Sequence, residues 1–263
     1  MNATSPTSRI RYAAERQEAI VDAAHAQGRV DVTEISERLG VTPETVRRDL
    51  TVLEQRGLVR RVHGGALPVA QTDREPSILQ RLGVGAGEKQ RIAERALAEL
   101  PGQGTILLDS GTTTLALARL LTNDLGLAVV TNSVAIAAVL SDHPDLQLHL
   151  LGGQVRTRTG AAVGSWVERA LSGTCIDVAF LGTNGFSLDR GMTTPDLAEA
   201  DAKRAMVAAS RRRIVLADAS KAGLSHFQRF ANVEEVSLLI TDSRLDDETT
   251  EAFDNAGMEV ARA

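Results

Sequence analysis

The chain has 263 residues, a net charge of −5, 43% hydrophobic residues and 24% charged residues. These values are typical of globular proteins, exclude disordered and disulfide-scaffold classes, and at this length predict two domains. Apolar runs are far shorter than the roughly 18 to 20 residues of a membrane helix, and no apolar signal segment is recognisable. We therefore expect a cytoplasmic protein without a membrane partner. The single cysteine, Cys175, excludes an intrachain disulfide, and we expect a buried, inert thiol.

Charge is distributed unevenly along the chain. Residues 1–70 carry a net charge of +1, and residues 71–263 carry −6. A surface that binds a polyanion is therefore expected near the N-terminus. Basic side chains are almost all arginine, and the only lysines are Lys89, Lys203 and Lys221. Where arginine is so strongly favoured, a remaining lysine is a candidate for a role that needs an ammonium group.

Three helices are predicted in the first 56 residues. Apolar residues recur at helical spacing from Tyr12 to Ala26 and predict the first helix. A short extended piece follows at Val30, and Thr33 is expected to cap a second helix that ends at Leu39. The third helix has clear start signals, because a capping residue, Thr42, precedes a proline. It should extend to about residue 56, bury Val46, Leu50 and Leu53, and leave exposed or at the border Thr45, Arg47, Arg48 and Thr51.

The segment LVRRVHGG after the third helix predicts a strand and a tight turn, so the whole region is predicted to be a winged helix-turn-helix. The second helix of such a motif enters the major groove of DNA. Arg47 and Arg48 lie about 100° apart on it, so one can contact guanine and the other phosphate, in either assignment. The alternative is a protein-binding module whose arginines form a solvated face. The predicted DNA-binding residues are Thr42, Thr45, Arg47, Arg48, Arg60, Arg61 and His63.

The rest of the chain predicts a linker and an α/β domain. Residues 69–88 lack periodicity, and a helix is expected from Lys89 to Leu100. Six short apolar segments then alternate with amphipathic ones, namely TILLD, LAVVT, LQLHLL, DVAFLG, RIVLAD and SLLIT. Such strands predict a parallel sheet covered on both faces. The expected domains are a winged helix-turn-helix at 11–68, a linker at 69–88 and an α/β domain at 89–263.

Small polar residues follow these predicted strands. Ligands of open parallel sheets bind outside the carboxyl ends of the strands, and hydroxyl and amide groups suit a small polyhydroxylated ligand. The strand-end residues are Asp109, Ser110, Gly111, Thr112, Thr113 and Thr114, then Thr131 and Asn132, Gly152 and Gly153, Thr183, Asn184 and Gly185, and finally Asp218, Ser220 and Lys221.

Among these strand ends, the segment SGTTT at residues 110–114 gives the most specific prediction of a ligand site. Its glycine allows close backbone approach, its hydroxyls are donors, and a helix is expected to follow it, so an anion such as phosphate is predicted there. The alternative is ordinary helix capping. Asp109 and Asp218 can accept hydrogen bonds from a sugar, or can cap a helix or pair with arginine. Lys221 can contact the phosphate or a sugar oxygen, whereas Lys203 follows Glu199 by four residues, the spacing of an exposed ion pair.

Two sets of motifs resemble one family. The run GVTPETVRRDLTVLEQRGLVRRVHGGA, Gly40 to Ala66, resembles the DNA-binding domain of DeoR-family bacterial transcriptional regulators. The motifs DSGTTT, TNS, LGG, FLGTNG, GMTTPDLAEADAKRAM and LADASK resemble the effector domain of the same family, so the similarity spans about 14–242. It implies a Rossmann-like effector domain similar to ribose-5-phosphate isomerase, glucosamine-6-phosphate deaminase and CoA-transferases. It also implies ligand roles for Asp109, Gly111, Thr112, Thr113, Asn132, Gly153, Asn184, Glu199, Lys203 and Lys221.

The function expected from this resemblance is a transcriptional repressor controlled by a phosphorylated sugar. Its expected partners are double-stranded operator DNA, the effector and a second or further copies of itself in a homodimer or homotetramer. The likeness is greatest to fructose-operon repressors, which implies fructose-1-phosphate; phosphates of galactitol, tagatose, glycerol and amino sugars stay open. No catalytic residue, metal or cofactor is expected.

Two other functions are alternatives to this one. An isomerase or deaminase carrying a DNA-binding domain is disfavoured, because the related isomerases have a carboxylate cluster after the strand DVAFLG. This chain has Thr183, Asn184 and Gly185 there, so a base for proton transfer is missing at that point. A purely structural DNA-binding protein leaves the polar strand ends unexplained.

Overall fold

The computed structural model describes residues 13–27, 29–55, 58–62, 64–68, 76–122 and 126–263. The chain divides into two compact units, one ending at Pro76 and one beginning at Ser77. Among the described helices, none is both long enough and apolar enough to span a bilayer.

The N-terminal unit is a winged helix-turn-helix. Its sheet is antiparallel, with the strand order β1-β3-β2. Ile20, Ile35 and Leu50, one from each helix, are at most 3% exposed and form its core with the other apolar faces. The prediction of this motif is confirmed. In chain order the elements are α1 (Ala13–Gln27), β1 (Val30–Asp31), α2 (Val32–Leu39), α3 (Pro43–Gln55), β2 (Val59–Val62) and β3 (Gly65–Pro68).

The start of α2 differs from the prediction. Asp31, not Thr33, is the N-cap, and its carboxylate accepts the backbone N–H of Thr33 at 2.8 Å and of Glu34 at 3.4 Å. The cap needs an extended backbone, which Asp31 has at the end of β1. The earlier start places Val32 on the buried face of the helix. Gly40 ends α2 in the left-handed conformation at φ 65°, as a C-terminal glycine is expected to do.

The C-terminal unit contains seven helices and twelve strands among its described residues. The helices are α4 (Ile78–Leu82), α5 (Ala86–Ala96), α6 (Thr112–Ala118), α7 (Val134–Leu140), α8 (Ser165–Leu171), α9 (Leu197–Ala209) and α10 (Asp247–Asn255). The strands are β4 (Gly104–Leu108), β5 (Leu127–Thr131), β6 (Gln147–Leu150), β7 (Gln154–Arg156), β8 (Ala161–Val163), β9 (Ile176–Gly182), β10 (Gly185–Ser187), β11 (Gly191–Thr194), β12 (Ser210–Leu216), β13 (Gln228–Ala231), β14 (Leu238–Thr241) and β15 (Glu259–Arg262).

Seven of these strands form one parallel sheet in the order β15-β14-β12-β9-β4-β5-β6. Successive residues of β4 belong to different core clusters: Ile106 and Leu108 pack into one cluster, and Leu107 packs into the other. Side chains alternate across a strand, so both faces of the sheet are covered. The predicted α/β class and its six strands are confirmed.

Several elements lie outside the prediction. They are β15, the antiparallel hairpin β7-β8 and the small antiparallel sheet β10-β11-β13. The second half of the predicted linker 69–88 is also structured, because Ser77 and Gln80 form a capping box that starts α4. Helix α5 begins at Ala86 rather than Lys89, which places Lys89 on its buried face.

Cys175 contradicts the expected buried thiol, since its side chain is exposed. It lies in the turn between α8 and β9, directly before Ile176, the first buried residue of that strand. The buried part of this segment therefore begins only after Cys175.

Candidate functional site

A cleft opens where β4, β9 and β12 reach the carboxyl edge of the main sheet. Predicted effector residues that line it are Ser110, Gly111, Thr112, Thr113, Asn184, Glu199, Lys203 and Lys221. Other lining residues are Arg81, Thr114, Gly182, Thr183 and Leu216. Polar residues from five separate segments of the chain thus line one cleft.

Seven predicted effector residues do not line this cleft: Asp109, Thr131, Asn132, Gly152, Gly153, Gly185 and Asp218. Two of them, Asn132 and Thr131, hold the backbone next to the cleft through hydrogen bonds. Asn132 accepts the backbone N–H of Ser110 at 3.0 Å and donates to the carbonyl of Ala162 at 3.0 Å. Thr131 donates its hydroxyl to the carbonyl of Leu108 at 2.6 Å. These side chains therefore fix the position of the SGTTT turn.

Two of the glycines are explained by close backbone packing. A Cβ at Gly153, where φ is 150°, would lie 2.6 Å from the carbonyl oxygen of Val163. A Cβ at Gly185 would lie 2.3 Å from the carbonyl oxygen of Leu224. Any larger residue would push apart the backbone segments that surround the cleft.

Lys203 and Asp109 form a buried ion pair beside the cleft. They are 5% and 1% exposed, and the ammonium of Lys203 also donates to the carbonyl of Gly182 at 2.9 Å. Asp109 accepts the N–H of Gly182 at 2.9 Å. Burial raises the pKa of the Asp109 carboxyl, while the charge of Lys203 opposes that rise. The alternative of an exposed ion pair between Lys203 and Glu199 does not hold, because both side chains are buried and the ammonium of Lys203 bonds to Asp109 and Gly182.

Glu199 brings a carboxylate to the cleft from α9. It accepts hydrogen bonds from Arg156 at 2.5 Å and from Thr159 at 2.6 Å. Burial disfavours its charged form, but the charge of Lys203 and the bonds from Thr159 and Arg156 outweigh burial and lower its pKa. No acidic residue directly follows β9, as the sequence indicated. The carboxylate of Glu199 nevertheless reaches the same edge of the main sheet from α9.

Asp218 caps a short helix, which is one of the alternative roles that the sequence left open for it. It accepts the backbone N–H of Ser220 at 3.2 Å at the start of a short 3₁₀ helix, Ala219–Lys221. The ammonium of Lys221 lies 3.8 Å from this carboxylate. Burial is the main cause that lowers the pKa of Lys221 to about 8; the charge of Asp218 opposes it, and the nearby cations Arg81, Lys89 and Lys203 add to it.

Sequence reasoning missed Arg81, which lies within the predicted linker. It is on α4, and its Nε is buried without a hydrogen-bond partner among the described residues. Lys89 reaches the same helix from α5, donating to the carbonyls of Arg81 and Val84 at 2.5 Å each. The cleft therefore combines cations with hydroxyl and amide groups, an arrangement that can hold an anion bearing hydroxyls.

The described residues contain no cluster of three or more His, Cys, Asp or Glu suited to a metal.

The N-terminal unit presents the predicted DNA-binding residues on α3 and β2. Thr42 accepts the backbone N–H of Thr45 at 3.2 Å, so it caps α3. Arg47 is exposed and lies 3.2 Å from Glu44, whereas Arg48 is exposed without an ion pair or hydrogen bond in the described part. A shallow groove is lined by Thr42, Glu44, Thr45, Arg47, Arg48, Thr51, Val52 and Arg61.

The two arginines of β2 differ in their surroundings. Arg61 donates to the hydroxyl of Thr51 at 3.0 Å, which joins the strand to α3. Arg60 is exposed on the same strand. His63 lies outside the described residues.

These two units have the architecture of a one-component transcriptional regulator, with a DNA-binding motif and a ligand cleft in one chain. A family model of the DeoR-like helix-turn-helix domain matches residues 16–72, and a model of the DeoR C-terminal sensor domain matches residues 85–243. The chain belongs to the DeoR family of transcriptional regulators, which confirms the resemblance found in the sequence.

Relatives match over nearly their whole length. The HTH-type transcriptional regulator GlpR of Haloferax volcanii is 39% identical over 94% of this chain and 96% of its own. The uncharacterized HTH-type transcriptional regulator FruR of Bacillus subtilis is 36% identical over 87% of this chain and 91% of its own.

A solved structure of D-ribose-5-phosphate isomerase in complex with phospho-erythronic acid is similar to part of the chain. The match has a TM-score of 0.39 and 20% identity, and it covers 52% of this chain and 54% of the isomerase chain.

Proposed function

We propose that this DeoR-family regulator represses a sugar-catabolic operon and that a phosphorylated sugar bound in the cleft controls its affinity for operator DNA. The observation that carries the proposal is the convergence of Arg81, Lys203 and Lys221 with the hydroxyl and amide groups of the strand ends. Cations favour a phosphate ester, and the neutral polar groups suit the hydroxyls of the sugar.

The charges of the cleft favour an anion over a neutral sugar. Lys203 is neutralised by Asp109, and Glu199 is held by Arg156, so these two pairs leave little net charge. Lys221 has a more distant carboxylate partner, at 3.8 Å, and other cations around it. A phosphate beside Lys221 and the SGTTT hydroxyls relieves this unbalanced positive charge.

Fructose-1-phosphate is the effector that we propose. The choice follows from the likeness to fructose-operon repressors. Two of the predicted effector residues that do not line the cleft have a supporting role. Asp109 positions Lys203, and Asn132 positions the SGTTT turn.

Operator binding is proposed for α3 and β2. Arg47 and Arg48 project from α3 into solvent near its N-terminus, where a recognition helix contacts base edges. Arg60, Arg61 and His63 are proposed to contact the phosphate backbone. A single recognition helix reads few base pairs, so we propose a homodimer or homotetramer that binds symmetric half-sites.

Isothermal titration tests the effector proposal. Fructose, fructose-1-phosphate and fructose-6-phosphate are titrated into the wild type and into Thr113→Val. We expect a phosphate to bind and free fructose not to, with about tenfold weaker binding in the variant, since a hydrogen bond to a charged group contributes about 1.5–3 kcal/mol. The exposed Thr122→Val is the matched control. Equal affinity for fructose and its phosphates would contradict the proposal that the cleft binds a phosphate group. If none of the three compounds binds, only the choice of fructose as the sugar is rejected.

The isomerase alternative gains one observation, the carboxylate of Glu199 in the cleft. Its lowered pKa and its bonds to Arg156 and Thr159 make it a weak base, so we propose sensing without turnover. Phosphorus NMR of each sugar phosphate incubated with the protein tests this. Unchanged spectra are expected, and new phosphate ester signals that disappear in Glu199→Gln would establish the enzyme.

A further inference from the structure

Arg81 differs from the other cations of the cleft in lacking a partner. Lys203 pairs with Asp109, and Lys221 faces Asp218. By contrast, the guanidinium of Arg81 has no carboxylate within ion-pair distance in the described part of the chain, and its Nε is buried without an acceptor. A buried donor without an acceptor is unfavourable. The position of this side chain therefore fits a ligand atom that accepts its hydrogen bonds.

The surroundings of Arg81 define the charge of that ligand. Lys89 is buried and donates to the carbonyl of Arg81 itself, and Lys221 lines the same cleft. Burial lowers the pKa of both lysines and the carboxylate of Asp218 opposes that effect, while the positive charge of Arg81 adds to the lowering. Three cations thus face one another around the start of the unit. A phosphate dianion matches this arrangement, and the planar fork of a guanidinium binds it with two parallel hydrogen bonds.

We propose that Arg81 binds the phosphate of the effector and that the bound phosphate thereby holds α4 against the cleft. The inference rests on the proposed function and names the element through which that site is regulated. Helix α4 is the first helix after the boundary between the two units, which falls at Pro76 and Ser77. A phosphate that fixes α4 acts directly on the segment that continues into the DNA-binding unit.

Apart from Leu82, which packs against one of the core clusters, helix α4 has few other attachments. It has five residues, none of them buried, and Leu79 is 78% exposed. One end is tied by the N–H of Ile78 to the carbonyl of Arg158 at 2.8 Å. The other end is tied through the ammonium of Lys89. So short a helix is marginal without tertiary contacts, so one bidentate bond from Arg81 to a cleft anion changes its stability appreciably.

Hydrogen exchange of the full chain tests the proposal with inorganic phosphate as the probe. Amides of residues 77–85 are compared in millimolar phosphate and in chloride of equal ionic strength. We expect phosphate to slow their exchange in the wild type. Arg81→Gln removes only the guanidinium and leaves the backbone carbonyl that holds Lys89, so its fold is retained. We expect it to bind phosphate and fructose-1-phosphate about tenfold or more weakly and to lose the protection.

Two variants complete the experiment. Arg91→Gln, on the exposed face of α5, is the matched control and should behave as the wild type. Arg81→Lys keeps the charge without the fork and should give intermediate affinity. Wild-type affinity in Arg81→Gln overturns the proposed contact, and phosphate binding without protection of 77–85 overturns the role of α4. If the wild type binds neither phosphate nor any sugar phosphate, the proposed function itself fails.

Discussion

Lys203 and Asp109 are 94 positions apart in the chain and form a buried ion pair at the carboxyl edge of the main sheet. The pair ties α9 to the end of β4, and Lys203 adds a bond to the carbonyl of Gly182 at the end of β9. Three elements that surround the cleft thus meet at one ammonium group. The pair therefore supports the shape of the cleft as well as its charge.

Removing one partner of this pair should destabilise the C-terminal unit. Asp109→Asn leaves the ammonium of Lys203 buried without its counter-charge, and breaking a buried pair in this way costs about 3–5 kcal/mol. Urea denaturation should show this loss in the free energy of unfolding. The exposed Asp145→Asn is the control, and the double variant Asp109→Asn with Lys203→Met should recover much of the loss. Unchanged stability in Asp109→Asn would mean that the pair does not hold the cleft together.

Effector affinity should depend on pH through Lys221. Its pKa is lowered to about 8, so its charge is lost as the pH rises through that value. The phosphate loses its second negative charge below a pKa of about 6. Affinity for a sugar phosphate should therefore be highest between these values and fall about tenfold by pH 9.5. Titration calorimetry across this range measures it, and Lys221→Arg, which stays charged, should abolish the alkaline decrease. The same decrease in both proteins would assign it to another group.

Operator binding should depend on the arginines of α3. Arg47→Ala and Arg48→Ala should each weaken specific binding by about 1–3 kcal/mol while the unit stays folded. A variant that lost a base contact should discriminate less between operator and scrambled DNA, and one that lost a phosphate contact should show a smaller salt dependence. Gel-shift titrations at two salt concentrations on the promoter upstream of the adjacent operon separate these effects. Arg91→Ala serves as the control, and wild-type affinity in both variants would refute the docking of α3.

Residues 77–263 expressed alone should fold and bind the effector. Their two core clusters are complete within this unit, and α4 and α5 belong to it. Circular dichroism, light scattering and calorimetry on the fragment should show a folded oligomer with the affinity of the full chain. A monomeric fragment would place the assembly interface in the N-terminal unit, and a molten one would contradict its independence.

Local patterns predicted the parts of the fold that depend on neighbouring residues. The cap and proline before α3, the apolar face of that helix and the apolar strands of the main sheet are all local signals. Strand β15 and the antiparallel sheet β10-β11-β13 escaped prediction, because their segments of three or four residues are too short to show a recognisable local pattern. Arg81 was missed for the same reason, since nothing in its own segment shows that α4 reaches a cleft formed by β4 and β9.

The strand-end rule predicted the place of the cleft more reliably than the role of each residue. The SGTTT turn, Asn184 and Lys221 line the cleft as expected. Asn132 and Asp109 follow strands too, yet their polar atoms are taken up by backbone groups and by Lys203. Spacing alone cannot distinguish a side chain that meets a ligand from one that positions its neighbour. Spacing also left open an exposed Lys203–Glu199 pair, whereas in the structure Lys203 pairs with Asp109.

The proposed regulator binds a phosphorylated sugar in its cleft, and this binding changes the affinity of the DNA-binding unit for the operator. Fluorescence anisotropy of labelled operator DNA bound to the full-length protein, titrated with fructose-1-phosphate and in parallel with fructose, tests it most directly. We expect fructose-1-phosphate to change the affinity for operator DNA and fructose to leave it unchanged, with a reduced response in Thr113→Val. Equal effects of both sugars, or an undiminished response in Thr113→Val, would contradict it.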